Sequence, residues 1–318
     1  MTHFDVFNGD ADGLCALQQL RLAAPRTAVL VTGAKRDIAL LQRVPAEPGD
    51  SVTALDISLD ANRAALMALL ERDVAVEYFD HHHPGDVPAH PRLDAHIDCA
   101  PDVCTGILVD RHLGGTQRAW AVVAAYGDNL IEPARRLATS LGLDEARRAE
   151  LRELGENLAY NAYGDSETDL IVHPAELCRI MRGYADPFRF AGDEGILRTI
   201  SDSRRADLES ARSTRPSTDL PGAAMYLLPD AAWSRRVRGA FGNELAREYP
   251  DRAHALLTPD GHGGYTVSVR APIARPIGAD ALCRQFTSGG GRAGAAGINH
   301  LPADGLDAFR LRFERAFR

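Results

Sequence analysis

The chain has 318 residues, of which 45% are apolar and 25% charged, and its formal charge is −8. Those proportions describe an ordinary globular protein of one large domain or two moderate ones, able to bury a substantial core. No apolar run reaches the length of a membrane-spanning helix, and the acidic balance argues against a protein that coats long nucleic acid through many phosphate contacts. A short anionic substrate held in one local pocket remains compatible.

The opening MTHFDVFNGDADG lacks the basic-then-apolar layout of a secretory signal, so a cytoplasmic protein that does not contact membrane is expected. The first hundred residues alternate apolar strands (Phe4–Phe7, Ala28–Thr32, Val52–Leu55, Val74–Phe79) with helical spacing over Leu14–Ala23, Asp37–Arg43 and Asp60–Arg72. Asp60 is the expected N-cap of the last of these. From about Ala119 to Ser210 the pattern is mostly helical, and the polar stretch Arg212–Gly222 reads as a linker. Beyond it come strands at Ala223–Leu228, His254–Thr258 and Tyr265–Arg270, helices around Trp233–Glu248 and Ala279–Phe286, a glycine-rich loop, and a closing helix at Leu306–Phe317. The fold class expected is α/β: a parallel-sheet domain over 1–135, a helical connector over 136–211 and a smaller α/β domain over 222–318.

Five cysteines, Cys15, Cys99, Cys104, Cys178 and Cys283, are scattered without a metal-binding or disulfide spacing. Lys35 is the single lysine, which leaves a lysine nucleophile with one candidate and little to recommend it. Arg235, Arg236 and Arg238 are expected to form an exposed basic helix face.

Acidic residues follow three of the strands. Asn8-Gly9-Asp10-Ala11-Asp12-Gly13 comes after the first, Asp56 after the third, and Asp80-His81-His82-His83 after the fourth. In an open parallel sheet the carboxyl ends of the strands share one edge, where ligands bind, so these residues are expected to meet. Crowded carboxylates drift toward protonation unless a divalent cation neutralises them. Carboxylate oxygens with imidazole nitrogen suit manganese better than magnesium, and the number of ligands admits two ions, an arrangement suited to phosphate ester cleavage. The run Ser288-Gly289-Gly290-Gly291-Arg292-Ala293-Gly294-Ala295-Ala296-Gly297 offers close backbone approach to an anion, with Arg292 as a bidentate phosphate contact, or else a flexible linker.

Asp10-x-Asp12-Gly13, Asp56, Asp80-His81-His82 and Asp128 in Tyr126-Gly127-Asp128-Asn129 resemble the four ordered motifs of the DHH phosphoesterase superfamily. The glycine run resembles the GGGHxxAAG signature of the DHH-associated C-terminal domain. The resemblance covers roughly residues 1–135 and 222–318. It implies a two-manganese site in which Asp56 bridges both ions, Asp10 serves one, and Asp12, His81 and Asp128 serve the other. His82 would stabilise charge or donate a proton beside the scissile phosphate, and Asp80 would orient His81. Gly289, Gly290, Gly291, Arg292 and Arg270 would hold the nucleotide. His300 follows the glycine run closely enough to contact substrate, or else is an ordinary surface histidine.

Two positions depart from the pattern. Val6 stands where many members have a metal-binding histidine, leaving Asn8 as the nearest substitute ligand, and Arg292 replaces the histidine of the glycine signature. The implied activity is hydrolysis of short single-stranded RNA or DNA, or of a dinucleotide such as pGpG, by an exonuclease or oligoribonuclease. A pAp phosphatase or polyphosphatase is the alternative enzyme, and a non-catalytic nucleotide sensor the alternative of another class. The chain is compatible with a homodimer.

Overall fold

The computed structural model describes residues 1–318, which divide into two compact units, Met1–Asp202 and Ser203–Arg318. In the first, strands β1 (His3–Phe7), β2 (Val29–Val31), β3 (Ser51–Leu55), β4 (Ala75–Asp80) and β5 (Leu93–Ile97) form a wholly parallel sheet in the order β2-β1-β3-β4-β5. Helices α1 (Ala11–Ala23), α2 (Leu59–Glu71), α3 (Thr105–His112), α4 (Arg118–Gly127), α5 (Ile131–Ser140), α6 (Glu145–Asn161), α7 (Pro174–Met181) and α8 (Pro187–Asp193) complete this unit, and α9 (Gly195–Ser213) runs on from it.

Both sheet faces are covered, which is why the strands read as nearly continuous apolar runs. Phe7, Leu55 and Phe79 enter one core with α1, α3, α4 and α6, while Phe4, Val6, Val52, Ala54, Val76 and Tyr78 enter the other with α2. The helical middle is no free-standing connector. Ala138, Leu151, Leu154, Leu158, Phe190 and Ile200 join the same core as Phe7, and the division between units falls inside α9 rather than at 212–222. Other local differences have simple causes. Ser58 caps α2 in place of Asp60 by accepting the Ala61 N–H, and Asp37–Arg43 contributes only a single 3₁₀ turn at Leu40–Arg43.

The second unit contains β6 (Thr218–Leu220), β7 (Ala223–Leu227), α10 (Ala232–Glu248), β8 (Ala253–Pro259), β9 (Gly264–Arg270), α11 (Ala279–Cys283), β10 (Gly289–Arg292), β11 (Ala295–Pro302) and α12 (Leu306–Ala316). Its sheet runs β10-β11-β9-β8-β7-β6, with only β7 and β8 parallel. Helices α11 and α12 cover one face through Leu282, Phe309 and Phe313, and α10 covers the other through Val237, Phe241 and Leu245. The arginines of α10 are not a free basic face: Arg236 pairs with Asp207 at 2.8 Å, Arg235 pairs with Asp230 at 2.5 Å, and Arg238 is buried against Thr258.

One buried group makes this unit acid-sensitive. His254 on β8 is fully buried, and neither ring nitrogen has a hydrogen-bond partner. Burial, reinforced by the nearby Arg252, pushes its pKa down to about 4 from 6.5. The unfolded chain therefore binds a proton that the folded chain refuses. Stability is fully present above pH 6.5 and falls by up to about 3 kcal/mol as the pH drops toward 4. Thermal melting across that range should show the loss in the wild type and a shallower one in His254→Leu; identical profiles would remove His254 as its source.

Candidate metal centre

The edge formed by the carboxyl ends of β1, β3 and β4 collects the acidic motifs. Asp10 is the N-cap of α1: its Oδ1 accepts the Asp12 and Gly13 N–H groups at 3.0 and 3.3 Å. A Cβ at Gly13 would lie 2.2 Å from the Asn8 carbonyl oxygen, so only glycine allows the chain to turn this tightly into the helix. Asp12, at the start of the helix, is fixed from another element. Its two oxygens accept the Thr105 and Gly106 N–H groups, each at 2.8 Å, at the N-terminus of α3, where the helix dipole favours negative charge.

Asp56 follows β3 directly with φ at 57°, a left-handed conformation that Asp and Asn adopt more readily than other side chains. Its N–H donates to the Phe79 carbonyl of β4 at 3.0 Å, and its carboxylate accepts the Thr105 hydroxyl at 3.3 Å. His81 follows β4. Its Nδ1 donates to the Val103 carbonyl at 3.0 Å, which turns Nε2 toward Asp56 at 3.5 Å and toward Asp12 and Asp128, both at 3.9 Å. Asp128 arrives from the C-cap of α4. The ligand atoms of Asp56, His81 and His82 lie within 4.8 Å of one another.

Asp80 is bonded to His82, not His81: Asp80 Oδ1 accepts His82 Nδ1 at 2.6 Å, while the Val103 carbonyl orients His81. That bond from Asp80 raises the His82 pKa above its usual value despite partial burial, so the imidazole is prone to hold a proton. Asn8 is also committed elsewhere than to a metal. Its Oδ1 accepts the Asp10 N–H at 3.2 Å and its Nδ2 donates to the Lys35 carbonyl at 3.3 Å. Val6 is fully buried among the apolar side chains on the α2 side of the sheet and offers no ligand.

Lys35 belongs to this centre, although its sequence context gave no reason to place it there. Its Nζ lies 2.5 Å from Asp10 Oδ2 and 3.8 Å from Asp128 Oδ1. Burial raises the pKa of the Asp10 carboxyl, but the Lys35 charge and hydrogen bond outweigh it, and the net shift is downward. At Asp56 the Lys35 charge pulls the same way but is outweighed. Burial first, then the charges of Asp12 and Asp10, drive its pKa well above the carboxylate range. Asp128 is raised to about 6, again by burial first and Asp12 second. The centre therefore carries more carboxylate than its own cations balance. A donor set of buried Asp12 and Asp56 with half-buried Asp128 and His81 Nε2 fits a divalent ion that takes oxygen and imidazole ligands.

The glycine-rich run is an edge hairpin rather than a loop. Gly289, Gly290, Gly291 and Arg292 pair with Ile298, Gly297, Ala296 and Ala295. A Cβ on Gly291, whose φ is 134°, would come within 2.5 Å of the Ala296 Cα, whereas nothing lies within 4 Å of one on Gly290. Because β10 is the edge strand, its outer side has no strand partner. Arg292 is exposed and unpaired. Arg270 is held by Asn243 at 2.7 Å and Ser268 at 3.0 Å, and His300 by Asp260 at 2.5 Å.

No family model matches the sequence, and no curated protein matches it. Solved structures do. An exonuclease RecJ bound to manganese matches with a TM-score of 0.63 at 19% identity, over 99% of this chain and 89% of that one. RecJ from Thermus thermophilus in complex with Mn2+ matches at 0.61 and 20% identity over 99% of this chain, which spans about half (51%) of that RecJ. A pGpG-specific phosphodiesterase, PggH from Vibrio cholerae, matches at 0.52 and 11% identity, over 99% of this chain and 100% of that one. No helix is long and apolar enough to cross a membrane. These likenesses establish the fold: this chain shares the fold of the solved RecJ structures.

Proposed function

We propose that the chain is a metal-dependent phosphoesterase that hydrolyses short oligonucleotides or dinucleotides, with manganese as its cation. The observation that carries this is the excess of carboxylate around His81, where burial and the Asp12 and Asp10 charges raise the Asp56 pKa well above its ordinary value, a cost that a divalent ion would relieve. RecJ bound to manganese and a phosphodiesterase specific for pGpG share the fold, which supports both the metal and the substrate class.

When bound, the cation supplies charge for the phosphoryl oxygens and acidifies water. The chain's residues do the rest. Asp12, Asp56, Asp128 and His81 hold the ion, and Thr105 together with the N-terminus of α3 fixes two of those carboxylates. His82, whose protonated form the Asp80 hydrogen bond favours, is the candidate donor to a phosphoryl or leaving oxygen. In the second unit, unpaired Arg292 on the open edge of β10 is the phosphate contact, and the glycines beside it let backbone approach the ligand.

The test is turnover of pGpG, pAp and short 5′-phosphorylated RNA by the purified protein, after chelation with EDTA and again after manganese is added back. Mononucleotide release from pGpG or RNA that vanishes with EDTA and returns with manganese is expected. Cleavage of pAp alone would redirect the substrate to a phosphate monoester. Binding of nucleotide without turnover of any of the three would replace the enzyme by a nucleotide sensor.

A further inference from the structure

We infer that the Lys35 ammonium is the resident cation of the Asp10 side of the centre, so that the chain takes one divalent ion rather than two. The inference rests on the proposed metal-dependent function and assigns how that metal is counted. Three observations carry it. Asp10 has both oxygens engaged by the protein itself: Oδ1 accepts from the first turn of α1, and Oδ2 is 2.5 Å from Lys35 Nζ. The ammonium is built in by its backbone, since the Lys35 N–H donates to the Ala162 carbonyl at 2.9 Å and its carbonyl accepts Asn8 Nδ2 at 3.3 Å. The Asn8 side chain, whose oxygen meanwhile binds the Asp10 N–H, thus joins the lysine segment to the aspartate loop.

The third observation is what is missing around Asp10. Val6, four residues earlier on β1, points its apolar side chain into the core, so no imidazole completes a ligand set on that side. An ion there would have Asp10 and a share of Asp56 or Asp128, and would have to displace or sit against an ammonium that already contacts Asp10 and reaches Asp128 at 3.8 Å. Like charges at such separations repel, the more so beside the buried Asp10. On the other side, Asp12, Asp56, Asp128 and His81 remain as a set of four ligands, enough for one ion. Lys35 is a positioning and charge-balancing residue, doing for Asp10 what a second ion would do.

Manganese stoichiometry tests this independently of turnover. Equilibrium dialysis of the full chain against manganese, followed by elemental analysis, is expected to give one ion per chain, with an electron paramagnetic resonance spectrum free of the exchange-coupled pattern of a manganese pair. Lys35→Ala, and Lys35→Gln as a second variant, are expected to bind two ions at the same free manganese and to show the coupled pattern; circular dichroism and melting of the metal-free variants verify that they fold. Two ions in the wild type, or one ion unchanged in the folded variants, would overturn the role of Lys35. No bound manganese in any of the three would instead strike at the metal-dependent reading itself.

Discussion

Replacing Asp56 with asparagine is expected to lower kcat with manganese by roughly 10²–10³-fold, the scale seen when a preorganised electrostatic group is removed from a reacting centre, while leaving the metal-free protein as stable as the wild type or more so. The two effects have one cause. Asp56 is 3% exposed and faces Asp12 and Asp10, so its carboxylate is held against burial and like charge until a cation arrives. The amide keeps the size, still accepts the Thr105 hydroxyl and carries no charge. Asparagine is also the right replacement for the backbone. Asp56 has φ at 57°, a conformation that asparagine tolerates, whereas alanine would add roughly 1–2 kcal/mol of strain and blur a catalytic loss with a structural one. Steady-state rates and melting temperatures of the two proteins decide the matter. Activity within tenfold of wild type would exclude Asp56 as a central ligand, and a large loss of metal-free stability would show that its carboxylate serves the fold rather than the site.

The parts of this centre that were legible in the sequence are those written as local patterns. Asp10, Asp12, Asp56, His81 and Asp128 stand at the ends of well-marked apolar strands or in a short motif, and a parallel sheet must bring strand ends to one edge. Strand β5 was not legible, because Leu93–Ile97 interrupts its apolar residues with Asp94 and His96 and lies at the sheet edge. Lys35 was invisible for a different reason. It sits in a connection after β2 with no periodicity around it, and its meeting with Asp10 across 25 residues depends on where the Ala162 and Asn8 contacts place that loop. The same holds for Asp80. Sequence proximity gave it two neighbouring imidazoles, and only the Val103 carbonyl, arriving from beyond β5, decides that His81 is oriented elsewhere and His82 is left to Asp80. The glycine run was legible as an unusual backbone but not as a hairpin, since glycine favours turns locally and its pairing is dictated by β11 lying on β9.

Replacing Asp5 with alanine is expected to destabilise the first unit by about 3–5 kcal/mol, the cost of removing one partner from a buried ion network. Asp5 lies in β1 with a fully buried side chain, and three cationic or protonatable groups converge on it. Arg21 from α1 reaches both of its oxygens, Arg182 from the end of α7 binds Oδ2 at 3.0 Å, and His3 Nε2 is 3.2 Å from Oδ1. Burial alone would raise the pKa of this carboxyl; the hydrogen bonds from His3 and Arg21, with the Arg21 charge, outweigh it and hold it below the ordinary value. Alanine would leave the Arg21 guanidinium, 9% exposed, facing His3 and Arg182 without an anion, and Arg182, 29% exposed, would be the one able to turn toward water. A unit of this size loses roughly 2–4 °C per kcal/mol, so the melting temperature should fall by about 10 °C. Because Asp5 is the point at which α1 and the residues after α7 are tied to the strand that leads to Asp10, manganese affinity is expected to weaken with it. The control is Asp5→Leu combined with Arg21→Met, which replaces the ion pair by apolar groups of similar volume and should recover much of the lost stability. A drop of under about 1 kcal/mol for the single alanine variant would place this network among exposed ion pairs of little consequence, and failure of the double variant to recover would mean that Arg182, not Arg21, carries the unpaired charge.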